Sequence, residues 1–346
     1  MGEQINVNES NNWNICGHEK VIEFLKGSIN NNRTAHAYLF VGLKHLGKYT
    51  VAKSFVSSLL CQQESGPNYC QNCYNCQQFE KNIHPDVYMV EQKMDEKTGK
   101  LKRGIVIGQV RELKNKLQQA TLLDGYKVAL IPEAQLINKN AANAVLKVLE
   151  EPTPNTIIIL IAEDIKQLPD TIVSRCQVLK FLPVATREVQ EYLQAQGVDP
   201  EQGNSLSRLA QGKPGRAITF LDNQELLNQY KGNVDSFLRV LGCDIGGRLG
   251  LVDGLVKWDK DEFLNITNIN VLFNDWQVVL RDLLLISTDN EPLIVNLDYL
   301  NQLKIKHQEL SVSKIKNIWQ NIQRARGYFQ DNVNSKLVLE NLIINI

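Results

Sequence analysis

The stretch "FVGLKHLGKYTVAKSF", residues 40–55, places a glycine-rich loop between an extended apolar segment and a helical pattern. A phosphate-binding loop requires Gly, four further residues, Gly-Lys, and then a Ser or Thr that binds magnesium. Gly42, Gly47 and Lys48 fit this spacing, whereas Tyr49 stands where the Ser or Thr is needed. The stretch therefore predicts a P-loop α/β domain whose phosphate-contacting residues are present and whose magnesium position is damaged.

Short β-branched apolar runs repeat the same α/β pattern further along the chain. "PDVYMV", "YKVALIP" and "NTIIILIA" have the length and composition of buried parallel strands. Between them, "IGQVRELKNKLQQA" and "NKNAANAVLKVLEE" have helical periodicity, and another amphipathic helix is predicted over residues 17–29. The alternation predicts an α/β sheet domain that covers residues 1–183.

Strand patterns end beyond residue 183, and the rest of the chain is helical in pattern. Residues 184–223 hold two short helical patterns, separated by the turn-prone "GVDPEQGN" and followed by the turn-prone "GKPGRA". Residues 224–346 form a longer helical region. Since 346 residues are too many for one ordinary hydrophobic core, we expect one small and one larger all-α domain after the sheet domain.

The charge balance narrows the class of function. The 38 basic and 38 acidic residues cancel, and neutralisation of phosphates supplies most non-specific affinity for nucleic acids. An autonomous, strongly basic nucleic-acid binder is therefore not expected. The polar N-terminus lacks the apolar core of a signal peptide, and no apolar run is long enough to cross a bilayer. We expect a soluble, cytoplasmic protein without membrane contact.

A cysteine cluster forms the second chemical signal. Cys61, Cys70, Cys73 and Cys76 contain two successive CxxC steps, and CxxC turns deliver paired thiolates to a tetrahedral zinc ion. Four protein ligands leave no position for water, so a structural site is predicted. Free thiols and an iron–sulfur site are the alternatives; because Glu80 stands where a ferredoxin-like run has its fourth cysteine, zinc is favoured.

Several motifs in order carry a family resemblance. "HAYLF", the altered P-loop, the four-cysteine insertion, "HPD", "LLDGYKVALIPEAQLINKNAANAVLKVLEEP" and "SRC" resemble the clamp-loader branch of the AAA+ ATPases. In bacteria these proteins are subunits of the DNA polymerase III clamp-loading complex. The resemblance runs from about residue 15 to residue 183, and the C-terminal third matches mainly through "DNVNSKLVLENLI".

The resemblance implies an architecture and a set of partners. The fold would be a RecA-like AAA+ domain with a zinc module at about residues 61–76, an all-α lid over residues 184–223, and an all-α collar over residues 224–346 that joins five subunits in a ring. The implied partners are tau/gamma-type and delta-type subunits, the sliding clamp, and primed DNA reached through the complex.

The same resemblance implies that ATP chemistry is lost. Relatives that hydrolyse ATP end the Walker B strand in Asp-Glu, but here Pro132 replaces the magnesium-binding Asp and leaves Glu133 behind. Their sensor is Thr or Asn, where this chain has Ala162 followed by Glu163. Bound magnesium and autonomous hydrolysis are therefore not expected, whereas ATP binding through Lys48 is left open.

The motif Ser174-Arg175-Cys176 is intact. In the family this arginine reaches a neighbour's γ-phosphate, and an arginine finger typically contributes about 10³ to 10⁵ in rate. The prediction is a clamp-loader subunit of the polymerase holoenzyme that is no enzyme on its own and lends Arg175, beside Ser174, to an adjacent ATPase.

Two other readings of the whole chain stay open at this stage. One is an active motor subunit of the tau/gamma type that coordinates magnesium through Thr50 or Glu133. The other is a zinc-dependent DNA-binding module.

Three single features also carry predictions. His45 stands where relatives often have glycine, which predicts a left-handed backbone on a non-glycine residue. Arg216 is either a nucleotide sensor or a residue that pins the lid. Residues 93–104 are net basic and are predicted to form a solvated hairpin, with a DNA contact as the alternative.

Overall fold

The computed structural model describes residues 13–63, 66–94, 104–123, 125–331 and 333–346. The predicted α/β fold is confirmed, since five strands among these residues form one parallel sheet. The strands are β1 Ala37–Val41, β2 Val87–Met89, β3 Lys127–Ile131, β4 Thr156–Ala162 and β5 Gln177–Lys180. Their order across the sheet is β2-β3-β4-β1-β5, so β1, which feeds the glycine loop, lies between two neighbours.

The central strands are buried along their whole length. Every residue of β1, β3 and β4 is buried, which explains why their sequences read as unbroken apolar runs. Leu39 of β1 pairs with Leu160 of β4 on one side and with Val178 of β5 on the other. Because all strands run the same way, the loop after β1 shares one edge of the sheet with the residues that follow β3 and β4.

Helices cover both faces of the sheet. The helices of this region are α1 Glu19–Asn30, α2 Lys48–Leu60, α3 Tyr74–Glu80, α4 Ile107–Leu117, α5 Lys139–Glu150, α6 Asp170–Val173 and α7 Thr186–Ala195. One core cluster joins alternate strand residues to α4 and α5, and a second joins the other strand residues to α1 and α2. Asn138 caps α5 by accepting a hydrogen bond from the Ala141 N–H at 2.9 Å.

The chain divides into two compact units. The first comprises residues 1–192 with 212–215, and the second comprises residues 193–211 with 216–346. The remaining helices are α8 Pro200–Ala210, α9 Pro214–Asp222, α10 Gln224–Gly242, α11 Ile245–Leu255, α12 Glu262–Ile286, α13 Leu300–Glu309, α14 Val312–Gln330 and α15 Ser335–Ile344. The finer division of the helical part at residues 183 and 223 stays a prediction.

Two segments predicted as turns begin helices instead. In "GVDPEQGN", Asp199 accepts hydrogen bonds from the N–H groups of Glu201 and Gln202, and α8 begins at Pro200. In "GKPGRA", α9 begins at Pro214. Proline is suited to the first helical position, because its missing N–H is unpaired there in any helix. Three helices, α7, α8 and α9, therefore stand where the sequence predicts two.

The hairpin predicted over residues 93–104 lies largely outside the described residues, which omit 95–103. No helix among the described parts of the chain combines the length and the apolar character that crossing a membrane requires.

Candidate functional site

The glycine loop follows β1 and ends where α2 begins at Lys48. A Cβ on Gly42 would lie 2.5 Å from the Phe181 carbonyl oxygen, so a side chain does not fit there. Gly47 has φ 86° and precedes the helix. His45 has φ 64°, which confirms the predicted left-handed backbone on a non-glycine residue. The loop thus has P-loop connectivity, and His45 is held in it with backbone strain.

Lys48 is directed at its own loop. Only 7% of the residue is exposed, and its ammonium donates hydrogen bonds to the carbonyl oxygens of Gly42 and, at 2.6 Å, Leu43. Burial lowers the pKa of Lys48 to about 8, although the Glu163 carboxylate acts in the opposite direction. The lysine that would contact phosphates therefore bonds to the loop backbone in this conformation.

Two further loop carbonyls also bond to other parts of the chain. The Gly215 N–H donates to the His45 carbonyl oxygen at 2.9 Å, and a Cβ on Gly215 would lie only 3.0 Å from that oxygen. The His18 Nε2 atom lies 2.8 Å from the Leu46 carbonyl oxygen. The segment 212–215 of the first unit consequently holds the tip of the loop, a contact that sequence spacing does not reveal.

The edge beside the loop carries two carboxylates and a lysine. Pro132 and Glu133 follow β3, while Ala162 ends β4 and Glu163 follows it. The Lys44 ammonium lies 3.8 Å from a Glu133 oxygen and 3.4 Å from a Glu163 oxygen. The two acids thus share a cation supplied by the loop itself. Lys44 was not singled out in the sequence, although a lysine inside a glycine loop is a visible signal.

The residues after Lys48 offer no hydroxyl in the usual place. Tyr49 occupies the magnesium position and is 36% exposed, and the Lys53 ammonium lies 5.9 Å from the centre of its ring. Thr50 is exposed. Neither side chain therefore supplies the short buried hydroxyl that a P-loop magnesium site uses.

Arg175 lies elsewhere, between α6 and β5. Its Nη2 atom is 2.8 Å from a Glu150 carboxylate oxygen, and Nη1 donates to the Thr171 carbonyl oxygen at 2.9 Å. The side chain remains 37% exposed. Ser174 Oγ lies 3.4 Å from Nη1, and burial raises the pKa of Cys176 to about 12. The flanking residues therefore shape and anchor the turn, while the guanidinium faces partly outward.

The four predicted cysteine ligands come together. Their sulfur atoms all lie within 4.8 Å of one another, and a tetrahedron with metal–sulfur bonds of about 2.3 Å has edges of about 3.8 Å. The N–H of Cys70 donates to the Cys61 sulfur at 3.4 Å, and the N–H of Cys73 donates to the Cys70 sulfur at 3.2 Å. Such hydrogen bonds favour thiolates, the form in which cysteine binds metals.

The thiols of the cluster differ in acidity. Burial opposes ionisation of Cys73, but hydrogen bonds at Gln62, Cys76 and Cys70 lower the pKa of Cys73 to about 6. Burial raises the pKa of Cys76. The donor set is thus four sulfurs, of which at least one ionises readily without help from a metal.

The cysteine module is fastened to α2 by side-chain bonds. The Trp13 indole N–H and the Ser58 hydroxyl both donate to the Pro67 carbonyl oxygen, at 2.9 Å and 2.7 Å. The Asn75 amide donates to the Leu60 carbonyl oxygen at 2.9 Å. The helix that begins at Lys48 therefore ends in the module.

Arg216 lies in the second unit and is enclosed there. Its Nη2 atom is 3.4 Å from Asp275, and its guanidinium lies 5.1 Å and 5.4 Å from the rings of Phe220 and Tyr230. Burial raises the pKa of Asp275 to about 6, while the Asn233 hydrogen bond and Arg216 act in the opposite direction. Through these contacts Arg216 links α9 to α12.

Comparison with known proteins agrees with the motif order. Residues 17–185 match the family model described as "DNA polymerase III, delta subunit". Over 94% of its length the chain is 28% identical to "DNA polymerase III subunit delta'" of Bacillus subtilis, of which it covers 94%. The chain is similar to the DNA polymerase III delta′ subunits. The delta′ type is also the one that an intact "SRC" beside damaged ATP motifs predicts.

Two further relatives show how far the similarity extends. The protein of the same name from Pseudomonas aeruginosa is 36% identical over 52% of this chain and 54% of its own length. "DNA polymerase III subunit gamma" of Buchnera aphidicola is 25% identical over 78% of this chain and 74% of its own length. The predicted resemblance to subunits of this polymerase is confirmed, and the gamma type is among the similar proteins.

Proposed function

We propose that this chain is a clamp-loader subunit of DNA polymerase III that does not hydrolyse ATP itself and supplies Arg175 to a neighbouring ATPase subunit. It would act inside a ring of five subunits with tau/gamma-type and delta-type partners, and contact the sliding clamp and primed DNA through that complex. The similarity to delta′ subunits supports the membership. The position of Arg175 supports the division of labour.

The observation that carries the proposal is the distance between Arg175 and the chain's own loop. Tyr38 of β1 pairs with Gln177 of β5, so Arg175 lies level with residue 36, six residues before Gly42. At about 3.3 Å per strand residue this separation is about 20 Å along the sheet. An arginine side chain is much shorter. Arg175 therefore cannot reach a phosphate bound at the chain's own loop, which supports a role at a neighbour's site.

The chain's own site supports the other half of the proposal. Proline at 132 has no ligand atom, Ala162 has no polar atom to serve as a sensor, and Lys44 already lies between Glu133 and Glu163. The two carboxylates beside the loop, Glu133 and Glu163, are thus already paired with a cation, which disfavours a role for either in orienting water. The motor alternative, in which Thr50 or Glu133 coordinates magnesium, finds no support in these contacts.

Equilibrium binding of ATP to the purified chain, with and without magnesium, tests this half, with Lys48→Ala as the control. We expect no magnesium-dependent binding and no turnover by the isolated chain. Tight magnesium-dependent binding with turnover that Lys48→Ala abolishes would establish the motor alternative instead.

We also propose that Cys61, Cys70, Cys73 and Cys76 hold a structural zinc ion. The convergent sulfurs and the N–H donors to two of them suit a tetrahedral thiolate site. Such an ion would join the end of α2 to the start of α3 and leave no open coordination position. Elemental analysis should give one zinc per chain, which Cys73→Ser strongly reduces. An iron content with visible absorbance would establish the iron–sulfur alternative.

A further inference from the structure

Glu150 is the side chain that holds the guanidinium of Arg175. The carboxylate contacts Nη2 at 2.8 Å, and the Thr171 carbonyl oxygen accepts from Nη1 at 2.9 Å. The two contacts come from different elements, because Glu150 ends α5 while Thr171 belongs to α6. Two nitrogens held from two directions fix both the position and the plane of the guanidinium.

Stability does not explain the placement of this carboxylate. Glu150 is the last residue of α5, where the helix dipole disfavours negative charge. The pair is also open to solvent, with 37% of the Arg175 side chain and 47% of the Glu150 side chain exposed, and exposed ion pairs add little to folding. What the contact does contribute is order, because it restricts the many rotamers of the long arginine side chain.

Sheet geometry explains why the two residues meet. In a parallel sheet the connecting helix runs back, so α5 ends at the edge where β4 begins. Arg175 lies two residues before β5 begins and therefore at that same edge. The end of α5 is thus a point of a rigid element from which an acid can reach Arg175.

We propose that Glu150 is a positioning residue for Arg175, which holds the guanidinium ready for the phosphate of a neighbouring subunit. The inference rests on the proposed function of Arg175. A finger that is ordered before the transition state forms loses less freedom when it engages, so its contribution to the rate is larger.

The test compares complexes assembled with partner ATPase subunits and either wild-type chain, Glu150→Gln or Glu151→Gln. Glu151 is the matched control, because it is exposed and follows Glu150 at the same helix end. For Glu150→Gln we expect kcat for ATP to fall roughly two- to fivefold, with unchanged KM and unchanged assembly. Glu151→Gln should match wild type.

Charge reversal enlarges the signal. Glu150→Lys places a second cation beside Arg175 and should lower kcat roughly tenfold or more, whereas Glu151→Lys changes the same charge at the same helix end and should have little effect. Size-exclusion chromatography of each complex checks that assembly is intact. Equal losses for the two lysine variants would overturn the inference, since they would indicate a general electrostatic effect.

Two results separate this inference from the proposed function. If Arg175→Ala lowers the rate but Glu150→Gln leaves kcat unchanged or raises it, Glu150 does not position the finger. If Arg175→Ala itself has no effect, the proposed function fails. NMR of the ¹⁵N-arginine-labelled isolated chain then decides positioning alone: Glu150→Gln should release the hindered rotation of the Arg175 guanidinium, and unchanged rotation would refute the contact.

Discussion

Lys48 and Arg175 are cations of two motifs of one sheet domain, yet the structure treats them in opposite ways. Lys48 follows β1 at the carboxyl edge, is almost fully buried, and donates hydrogen bonds to its own loop. Arg175 precedes β5 at the amino edge and remains 37% exposed on a turn. The ammonium of Lys48, the inward cation, is thus occupied by its own loop, whereas the guanidinium of Arg175, the outward cation, is partly accessible from outside, as its proposed role requires.

Arg175→Ala should break the function of the outward cation while it leaves the fold intact. In a complex with ATPase partners we expect a loss of about 10³-fold or more in the neighbour's hydrolysis, the contribution of an arginine finger. Thermal unfolding of the isolated variant should shift little, because the ion pair is exposed. Steady-state ATP turnover and calorimetry measure both quantities.

The control for that experiment is Lys48→Ala, which removes the inward cation. The neighbour's ATP turnover should stay near the wild-type value in the assembled complex. A loss as large as that of Arg175→Ala would contradict the comparison and return ATP chemistry to this chain.

Arg216 is a largely buried cation like Lys48, but it lies in the second unit. Its side chain is 19% exposed and that of Asp275 is 6% exposed, so Arg216→Met leaves a buried carboxylate without its cation. We expect the free energy of unfolding to fall by about 2–4 kcal/mol, as measured by denaturant titration. Arg187→Met serves as control, since the Arg187–Glu191 pair is exposed. A sensor arginine would instead leave stability unchanged and alter nucleotide binding.

Backbone strain in the glycine loop is expected to change stability by a smaller amount. Gly47 has φ 86° with open space where a Cβ would stand, so Gly47→Ala should cost about 1–2 kcal/mol of stability through backbone strain alone. His45→Gly relieves the same strain at φ 64°, and Gly47→Ala should be the more destabilising of the two. Denaturant titration of both variants checks the order, and the reverse order would show that His45 is held by its side chain.

The protonation of Lys48 gives the smallest expected effect. Burial lowers its folded pKa to about 8 from an ordinary 10.5, so between these values the folded chain has lost this proton and the unfolded chain has kept it. The contribution of Lys48 to the free energy of unfolding therefore rises with pH between about 8 and 10.5. Lys48→Met should flatten that rise, whereas Lys20→Met, at an exposed position, should not. Equal profiles for the two variants would exclude a perturbed Lys48.

Much of the first unit could be predicted because its signals are local. Apolar runs of strand length gave β2, β3 and β4, and the glycine spacing placed the loop at the start of α2. Two CxxC steps gave the cysteine cluster. By contrast, the short exposed strand β5 carries no apolar run and was not identified. The composition of "GVDPEQGN" and "GKPGRA" predicts turns, although proline also starts helices.

What the sequence by itself determined is the chemistry that is absent or present: no Asp at 132, no Ser or Thr at 49, an arginine at 175, and four cysteines at metal-binding spacing. The tertiary structure alone decided which groups meet. The contacts Lys44–Glu163, His45–Gly215 and Arg175–Glu150 join residues that are far apart in sequence. Local patterns specify elements, whereas such contacts depend on strand order and on the direction in which connecting helices return.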